Sequence, residues 1–586
     1  MLKLLKYMKK REWVLTLLAL CLILVQVALD LALPDYMEEI TELVETNGSE
    51  MSEILETGAK MLLAALGSLA SAVLTVLCAS RAAEIFCATL RSRMFDRVQS
   101  FSGAEFDRFT TPSLINRTTG DVLQLQMAFV LVLEVMVKAP LKVVFAIVKI
   151  SSGSLHWSLI AALGGGALLL LTVVCVAICY PKFRRMQQYA DDLNRITRDN
   201  LQGLHAIRAS GGEHFEENRF EKANVRLTGT HLFTAQTMSL LSPTMQLTGN
   251  LLTVAIYFVG VLAINAAAVG ARVALFSETV AFVTYMVQIL SAFLLFATAS
   301  TLLPRAIVSA GRINEVLDTI PAVREGNVTE TPEGKRGELS FSHVSFRYPD
   351  AHVDTLHDVS FTANCGERVA IIGAIHSGKS AAVHLLMRHY DPAAGHIEVD
   401  GVDISAYSED ALHQKIAYVG HEPFLFNATV RENIAFGNGG AREISDERLE
   451  ELVRIACAED MMKELEAGAD THVLEGGVNL SAGEAQRIAI MRALCKNPEI
   501  LILDDAFSAF DMPAVQALQR SLVENCKGLT MIMLARRVST VRDAQKIIVL
   551  EDGAVVGEGT HETLLRECAT YRRIADAQRL EVAQHA

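Results

Sequence analysis

The chain has 586 residues, more than one hydrophobic core accommodates, so two or more domains are expected. Apolar residues make up 51% and mean hydropathy is +0.29, high for a soluble protein, with the apolar excess before about residue 310. A net charge of −14 argues against a nucleic-acid partner, and ten cysteines without paired spacing, several in apolar runs (Cys21, Cys78, Cys175, Cys179), point to reduced core thiols, not a disulfide framework or metal site.

Lys3, Lys6, Lys9, Lys10 and Arg11 precede the first apolar run, which is long enough to span a bilayer and so is not read as a cleavable signal peptide. Six spans are expected, at about 13–34, 58–80, 132–152, 157–180, 237–263 and 277–303. The basic N-terminus stays cytoplasmic. The next loop, from Asp35 through Glu38, Glu39, Glu42, Glu45, Glu50, Glu53 and Glu56, has no base before Lys60 and faces out. An even number of spans returns the chain to the cytoplasm, so both termini lie there, in the cytoplasmic membrane of a bacterial cell. The arginine-rich segments 81–131 and 181–236 read as cytosolic helical extensions, and Ser151 to Trp157 as a short outer turn. Asn47-Gly-Ser49 is a formal glycosylation sequon of little weight, and His156 and His231 read as interfacial.

The third span carries Glu134, Lys138 and Lys142 at i, i+4 and i+8, with Pro140 between the lysines and Lys149 two turns on. Charges within spans are costly and tend to line cavities. A later membrane entry leaves Glu134 and Lys138 cytosolic and lets Lys149 reach outward. Lys142 fits that account least, and is expected to face an internal path and favour anionic or amphipathic substrates.

Pro304 to Arg336 holds a short helical pattern, Ala310 to Leu317, then a polar run with Pro321, Gly326, Pro332 and Gly334. The division expected is an all-α transmembrane domain over 1–310, a linker over 311–337 and an α/β nucleotide-binding domain over 338–586, where strand and helix signals alternate.

In that second domain Gly373-Ala-Ile-His-Ser377-Gly378-Lys379-Ser380 has the P-loop spacing, between an apolar strand (Arg368 to Ile372) and a helix (Ala381 to Met387). Backbone N–H groups of such a loop turn inward around phosphate oxygens, Lys379 reaches the β- and γ-phosphates, and Ser380 offers its hydroxyl to Mg²⁺. Ile500-Leu-Ile-Leu-Asp504-Asp505 is an apolar strand ending in two acids, of which Asp504 is placed to hold the Mg²⁺. ATP and Mg²⁺ are the expected cofactors.

Together with Leu480-Ser-Ala-Gly-Glu-Ala-Gln-Arg487, these motifs resemble the ATP-binding cassette (ABC) transporters, over essentially the whole chain: a half-transporter of the six-helix exporter type. The resemblance implies that Ser481 and Gly483 belong to a signature loop that closes over ATP on the opposite subunit's P-loop. It places Tyr348 on adenine, Glu475 in the loop before the signature, Ser508 to Asp511 in a loop that meets the other half of the dimer, and coupling helices within Glu105 to Ile115 and Ile207 to Phe220.

Several positions depart from the family pattern. The catalytic base is usually Glu but here is Asp505, one methylene shorter. The switch histidine is Arg536, which donates to phosphate but cannot relay a proton. His421 stands where a glutamine usually meets Mg²⁺ and the attacking water. Ala482 and Glu484 alter the signature, adding a methyl and a negative charge. Asp505 with Arg536 resembles the degenerate-site subunit of heterodimeric multidrug-type exporters, as does Asp30-Leu-Ala-Leu-Pro34, while Ser481 and Gly483 are retained. The implied function is ATP-driven export of a small amphipathic or drug-like molecule by a dimer. A different, catalytically intact half-transporter is the favoured partner and a homodimer the alternative. Siderophore-type import on the same architecture, and an ATP-gated regulatory subunit, remain open readings.

Overall fold

The computed structural model describes residues 2–45, 50–151, 155–268, 271–300, 302–330, 336–440 and 443–585. The sequon and the centre of the turn between spans three and four lie outside them. Two compact units emerge: residues 1–99 with 111–319, and residues 100–110 with 320–586. The break at Thr319/Ile320 falls after the helix Leu303–Asp318, within the stretch read as linker.

In the first unit, five expected spans fall in helices long and apolar enough to cross a membrane, carried by Lys10–Glu45, Met51–Gln99, Leu155–Gln202, Glu213–Ala266 and Arg272–Ser300. The third expected span lies in a helical run whose middle, Val132–Val137, is π-helical between Val122–Leu131 and Lys138–Ser151. A π-turn carries one extra residue per hydrogen-bonded loop and rotates the helix beyond it.

Two of that run's lysines, Lys142 and Lys149, are paired. Lys142 Nζ lies 3.1 Å from Asp30 Oδ2 on the first helix, both side chains 19% exposed. Asp30 also accepts from Ser68 Oγ at 2.5 Å through its other carboxylate oxygen, and Gln288 Nε2 donates to its backbone carbonyl at 3.2 Å. Five residues on, Asp35 receives Lys149 at 2.5 Å and the Tyr285 hydroxyl. Lys149 thus reaches the acid at the start of the loop expected outside, and Lys142 is charge-compensated. Four helices contribute to this polar seam.

Among the described residues the second unit is built on twelve strands: β1 (Leu339–Phe346), β2 (Leu356–Ala363), β3 (Arg368–Gly373), β4 (Ala394–Val399), β5 (Val402–Asp403), β6 (Ile416–Val419), β7 (Ala428–Thr429), β8 (His472–Val473), β9 (Ile500–Asp504), β10 (Thr530–Ala535), β11 (Lys546–Glu551) and β12 (Ala554–Gly559). One sheet runs β12-β11-β3-β10-β9-β6, parallel except for the antiparallel edge pair β11–β12. A second, antiparallel, runs β2-β1-β4-β5.

The strand sequences are apolar without alternation because both faces of the larger sheet are covered. Ala370, Ile372, Leu501, Leu503, Met531 and Met533 enter one core with the helices after β6 and β8. Their neighbours Val369, Ile371, Ile500, Ile502, Ile532 and Leu534 enter the other, against the antiparallel sheet. Each such buried aliphatic side chain contributes about 2 kcal/mol of transfer free energy, so the register of these strands is firmly held.

Candidate functional site

Register decides which residues meet. Ile372 of β3 pairs with Ala535 of β10, Leu534 with Asp504 of β9, and Leu503 with Val419 of β6. Four adjacent parallel strands therefore end together, and Gly373 at the end of β3 emerges along one edge with Arg536, Asp505 and His421, which follow β10, β9 and β6. Ligands of open parallel sheets bind at that carboxyl edge.

The P-loop turns there. His376 and Gly378 adopt left-handed backbone conformations, with φ of 67° and 97°, and Gly378 caps the helix Lys379–Leu386. A side chain on Gly373 would collide with the carbonyl of Leu550 and with the buried Ser377 hydroxyl. Lys379 Nζ folds over the loop, donating to the carbonyls of Gly373 and Ala374, each at 2.8 Å, and to Ser377 Oγ at 3.2 Å. Burial pushes its ammonium below the ordinary lysine value, against the pull of Asp505 and Asp504. The cradle presents N–H groups and one cation to an anion.

Opposite stand the two acids. Burial, then the neighbouring Asp505, raise the Asp504 carboxyl, while a 3.4 Å hydrogen bond from the Tyr418 hydroxyl acts the other way. Burial and Asp504 push Tyr418 up to about 12, so it stays a donor. Asp505, itself at positive φ, holds Arg536: Nε lies 2.9 Å from Oδ2. The two residues that depart most from the expected catalytic pair thus satisfy one another. His421 Nδ1 sits 2.9 Å from Ser508 Oγ and close enough to Asp504 to influence its charge.

The ABC transporter transmembrane region family matches residues 16–305, and the ABC transporter family matches residues 356–508. An ABC transporter ATP-binding protein of Mycobacterium tuberculosis is 34% identical over 560 residues, covering 95% of this chain and 94% of that one. The chain belongs to the ABC transporter family. YfiB of Bacillus subtilis, another ABC transporter ATP-binding protein, is 31% identical over 573 residues, 96% of each chain. The ATP-dependent lipid A-core flippase of Pseudomonas fluorescens is 32% identical over 492 residues, covering 83% and 79%. The solved structure of a bacterial Atm1-family ABC exporter with ATP bound superposes with a TM-score of 0.80 at 26% identity, over 96% of this chain and 97% of that one. The protein is a multi-pass, exporter-type ABC transporter: a helical transmembrane domain fused to an α/β domain that binds ATP.

Four other expected ABC landmarks are the signature, the stretch from Ser508 to Asp511, Glu475 and Tyr348. Ser481 is the N-cap of the helix Ala482–Cys495 and Gly483 lies in its first turn. The Glu484 carboxylate reaches back to both the Ser481 backbone N–H and hydroxyl, each at 2.6 Å. This capping box has a plain sequence signal, Ser-x-x-Glu. Asp511, at the end of the stretch that begins with Ser508, caps the helix Met512–Asn525, and Glu475 is exposed. Tyr348 packs edge-on against Phe346 and Tyr390, with ring centroids 4.8 and 5.3 Å away. Sequence reasoning misses Tyr390, because nothing local marks it.

The Mg²⁺ expected here can be tested against its donors. Among the described residues no three His, Cys, Asp or Glu side chains cluster to hold a metal. That suits Mg²⁺, which keeps waters and phosphate oxygens and takes only one or two protein oxygens. Ser380 and Asp504 are the residues at this edge that would supply those, and a cation there would offset the burial that raises the Asp504 carboxyl.

Proposed function

We propose that this chain is one half of a dimeric exporter for small amphipathic molecules, and that its own ATP site holds Mg-ATP while hydrolysing it slowly. The observation that carries this reading is the Asp505–Arg536 ion pair. A general base must reach the proton of the attacking water with a free lone pair. Here an Asp505 oxygen already accepts from a guanidinium, and its side chain is one methylene shorter than glutamate. A displacement of about 1 Å costs on the order of a hundredfold in rate.

Each residue has a role in retention. The N–H groups from Gly373 to Ser380 and the Lys379 ammonium bind phosphate, and Tyr348 packs on adenine. Ser380 and Asp504 would hold Mg²⁺, which would supply counter-charge to the phosphates. An imidazole nitrogen is a poor Mg²⁺ ligand, so His421 is placed on the water side of the site, oriented by Ser508. Arg536 donates to the terminal phosphate. Ser481 and Gly483 face the nucleotide of a partner half-transporter with an intact base, which performs most of the turnover. Closure of the two ATP sandwiches drives export.

Steady-state Mg-ATP hydrolysis and ATP binding by the chain alone in nanodiscs, with Lys379→Ala as control, test this. ATP bound with almost no turnover is expected. Turnover on the order of one per second, lost in the control, lies within the ordinary enzyme range and would establish a competent homodimer.

A further inference from the structure

Residues 100–110 sit between membrane helices in sequence, yet they cluster with the nucleotide-binding unit. Their helix, Gly103–Phe109, begins with a capping box in which Glu105 accepts from the Ser102 N–H at 2.9 Å and hydroxyl at 2.6 Å. The other Glu105 oxygen accepts from the Ala322 N–H at 3.1 Å, and Phe101 stacks on Phe109 with centroids 5.7 Å apart. The helix is therefore rigid and tied to its unit at more than one point.

Its closest approach is to Tyr390. The Gly103 N–H donates to the His389 carbonyl at 2.9 Å, and a Cβ on Gly103 would lie only 2.5 to 2.7 Å from three atoms of the Tyr390 ring and hydroxyl. One turn on, Asp107 Oδ2 accepts from the Tyr390 hydroxyl at 2.6 Å. Tyr390 is 8% exposed, and its two ends do different work. The hydroxyl is fixed by the short helix. The ring stands edge-on to Tyr348 and to His384, which lies on the helix that the P-loop opens. Edge-to-face pairs have preferred geometry, so a ring locked at one end restrains the ring it touches.

We propose that Tyr390 is a positioning residue for ATP: Asp107 fixes Tyr390, and Tyr390 holds the Tyr348 ring in the orientation that stacks on adenine. The relay rests on the reading of Tyr348 as the adenine platform. It also runs in reverse, since coupling between two binding events is reciprocal. Adenine seated on Tyr348 tightens the hold of Tyr390 on the helix Gly103–Phe109, so occupancy of the base pocket, separately from the phosphates, reports to the segment inserted between the membrane helices.

A structural role would weaken all nucleotides alike, whereas positioning of a stacking ring discriminates between bases. The test is the dissociation constants of Mg-ATP and Mg-UTP for the full-length chain in nanodiscs, since the single pyrimidine ring stacks less. Tyr390→Phe and Asp107→Ala should each lower the ATP-over-UTP preference about threefold, the worth of one oriented aromatic contact, and together no further. Tyr390→Leu should lower it about tenfold. An unchanged preference in Tyr390→Leu, parallel losses for both nucleotides, or full preference in Asp107→Ala would overturn the relay. Absence of ATP binding by the unsubstituted chain would instead sink the reading of the site itself, and the relay with it.

Discussion

Charge is handled in opposite ways in the two units. In the transmembrane unit, Lys142–Asp30 and Lys149–Asp35 join neighbouring helices, and Ser68, Gln288 and Tyr285 supply further hydrogen bonds around the same two acids. Lys142 and Asp30 are mostly hidden from competing partners, so theirs is a structural pair, with the more exposed Lys149–Asp35 pair beside it. In the nucleotide-binding unit, Lys379 rests on its own loop, Arg536 on Asp505 and Glu484 on Ser481. The contacts of Lys379 are provisional. A phosphate offers that ammonium a stronger partner than the neutral carbonyls and hydroxyl it now holds, because charge-assisted bonds are about twice as strong as neutral ones. Arg536 keeps its charge-assisted bond to Asp505 and has further N–H donors for a phosphate. A lysine contact is thus a fastening in one unit and a placeholder in the other.

The comparison can be broken most sharply at Lys142. Lys142→Ala leaves Asp30 partly buried without its cation and should destabilise the transmembrane unit by about 3 kcal/mol. The Asp30→Asn/Lys142→Gln double substitution should recover most of that loss. Thermal unfolding of the full chain in nanodiscs reads both, and an unchanged Lys142→Ala melting point would make the pair no fastening at all. At the ATP site the prediction concerns rate. Asp505→Glu with Arg536→His should raise Mg-ATP turnover about a hundredfold, and Arg536→His alone should raise it less. No increase in the double variant would mean that self-pairing is not what holds the site back.

Smaller effects sharpen the contrast. Glu484→Gln keeps the capping box but removes a negative charge from a helix N-terminus facing a polyanion. The ATP concentration for half-maximal hydrolysis by the assembled dimer should fall about two- to fivefold. The smallest effect is one of pH. Because the folded-state Asp504 carboxyl titrates above its unfolded value, its contribution to stability is complete below the unfolded value of about 3.9 and is lost as pH rises through the raised value. Asp504→Asn should therefore stabilise the nucleotide-free chain at pH 7 but not at pH 3.5, as read by differential scanning fluorimetry. Equal melting shifts at both pH values would show that Asp504 is not strained by its site.

The cassette is legible in sequence where function is carried by backbone. P-loop spacing and an apolar strand ending in Asp504-Asp505 locate two strand ends, and parallel topology brings the third and fourth to the same edge. Local patterning also exposes five membrane helices. Pairing across long separations stays hidden. The periodicity that puts Lys142 on a helix face gives no hint of Asp30, 112 residues away, and Asp107 and Tyr390 lie 283 apart. The π-turn at Val132–Val137 is equally silent, since one extra residue in a helical loop leaves the composition of the span unchanged.

The placement of residues 100–110 with the second unit bears on how this protein could be recombined. A graft that exchanged everything after Ile320 for a homologous cassette would carry away Tyr390 and Ala322 but leave behind Gly103, Glu105 and Asp107, their partners. Such a hybrid would inherit a mismatched socket even with both halves well folded. A working exchange must transplant two separate stretches of chain. The module therefore has an edge in space that the gene does not have in sequence.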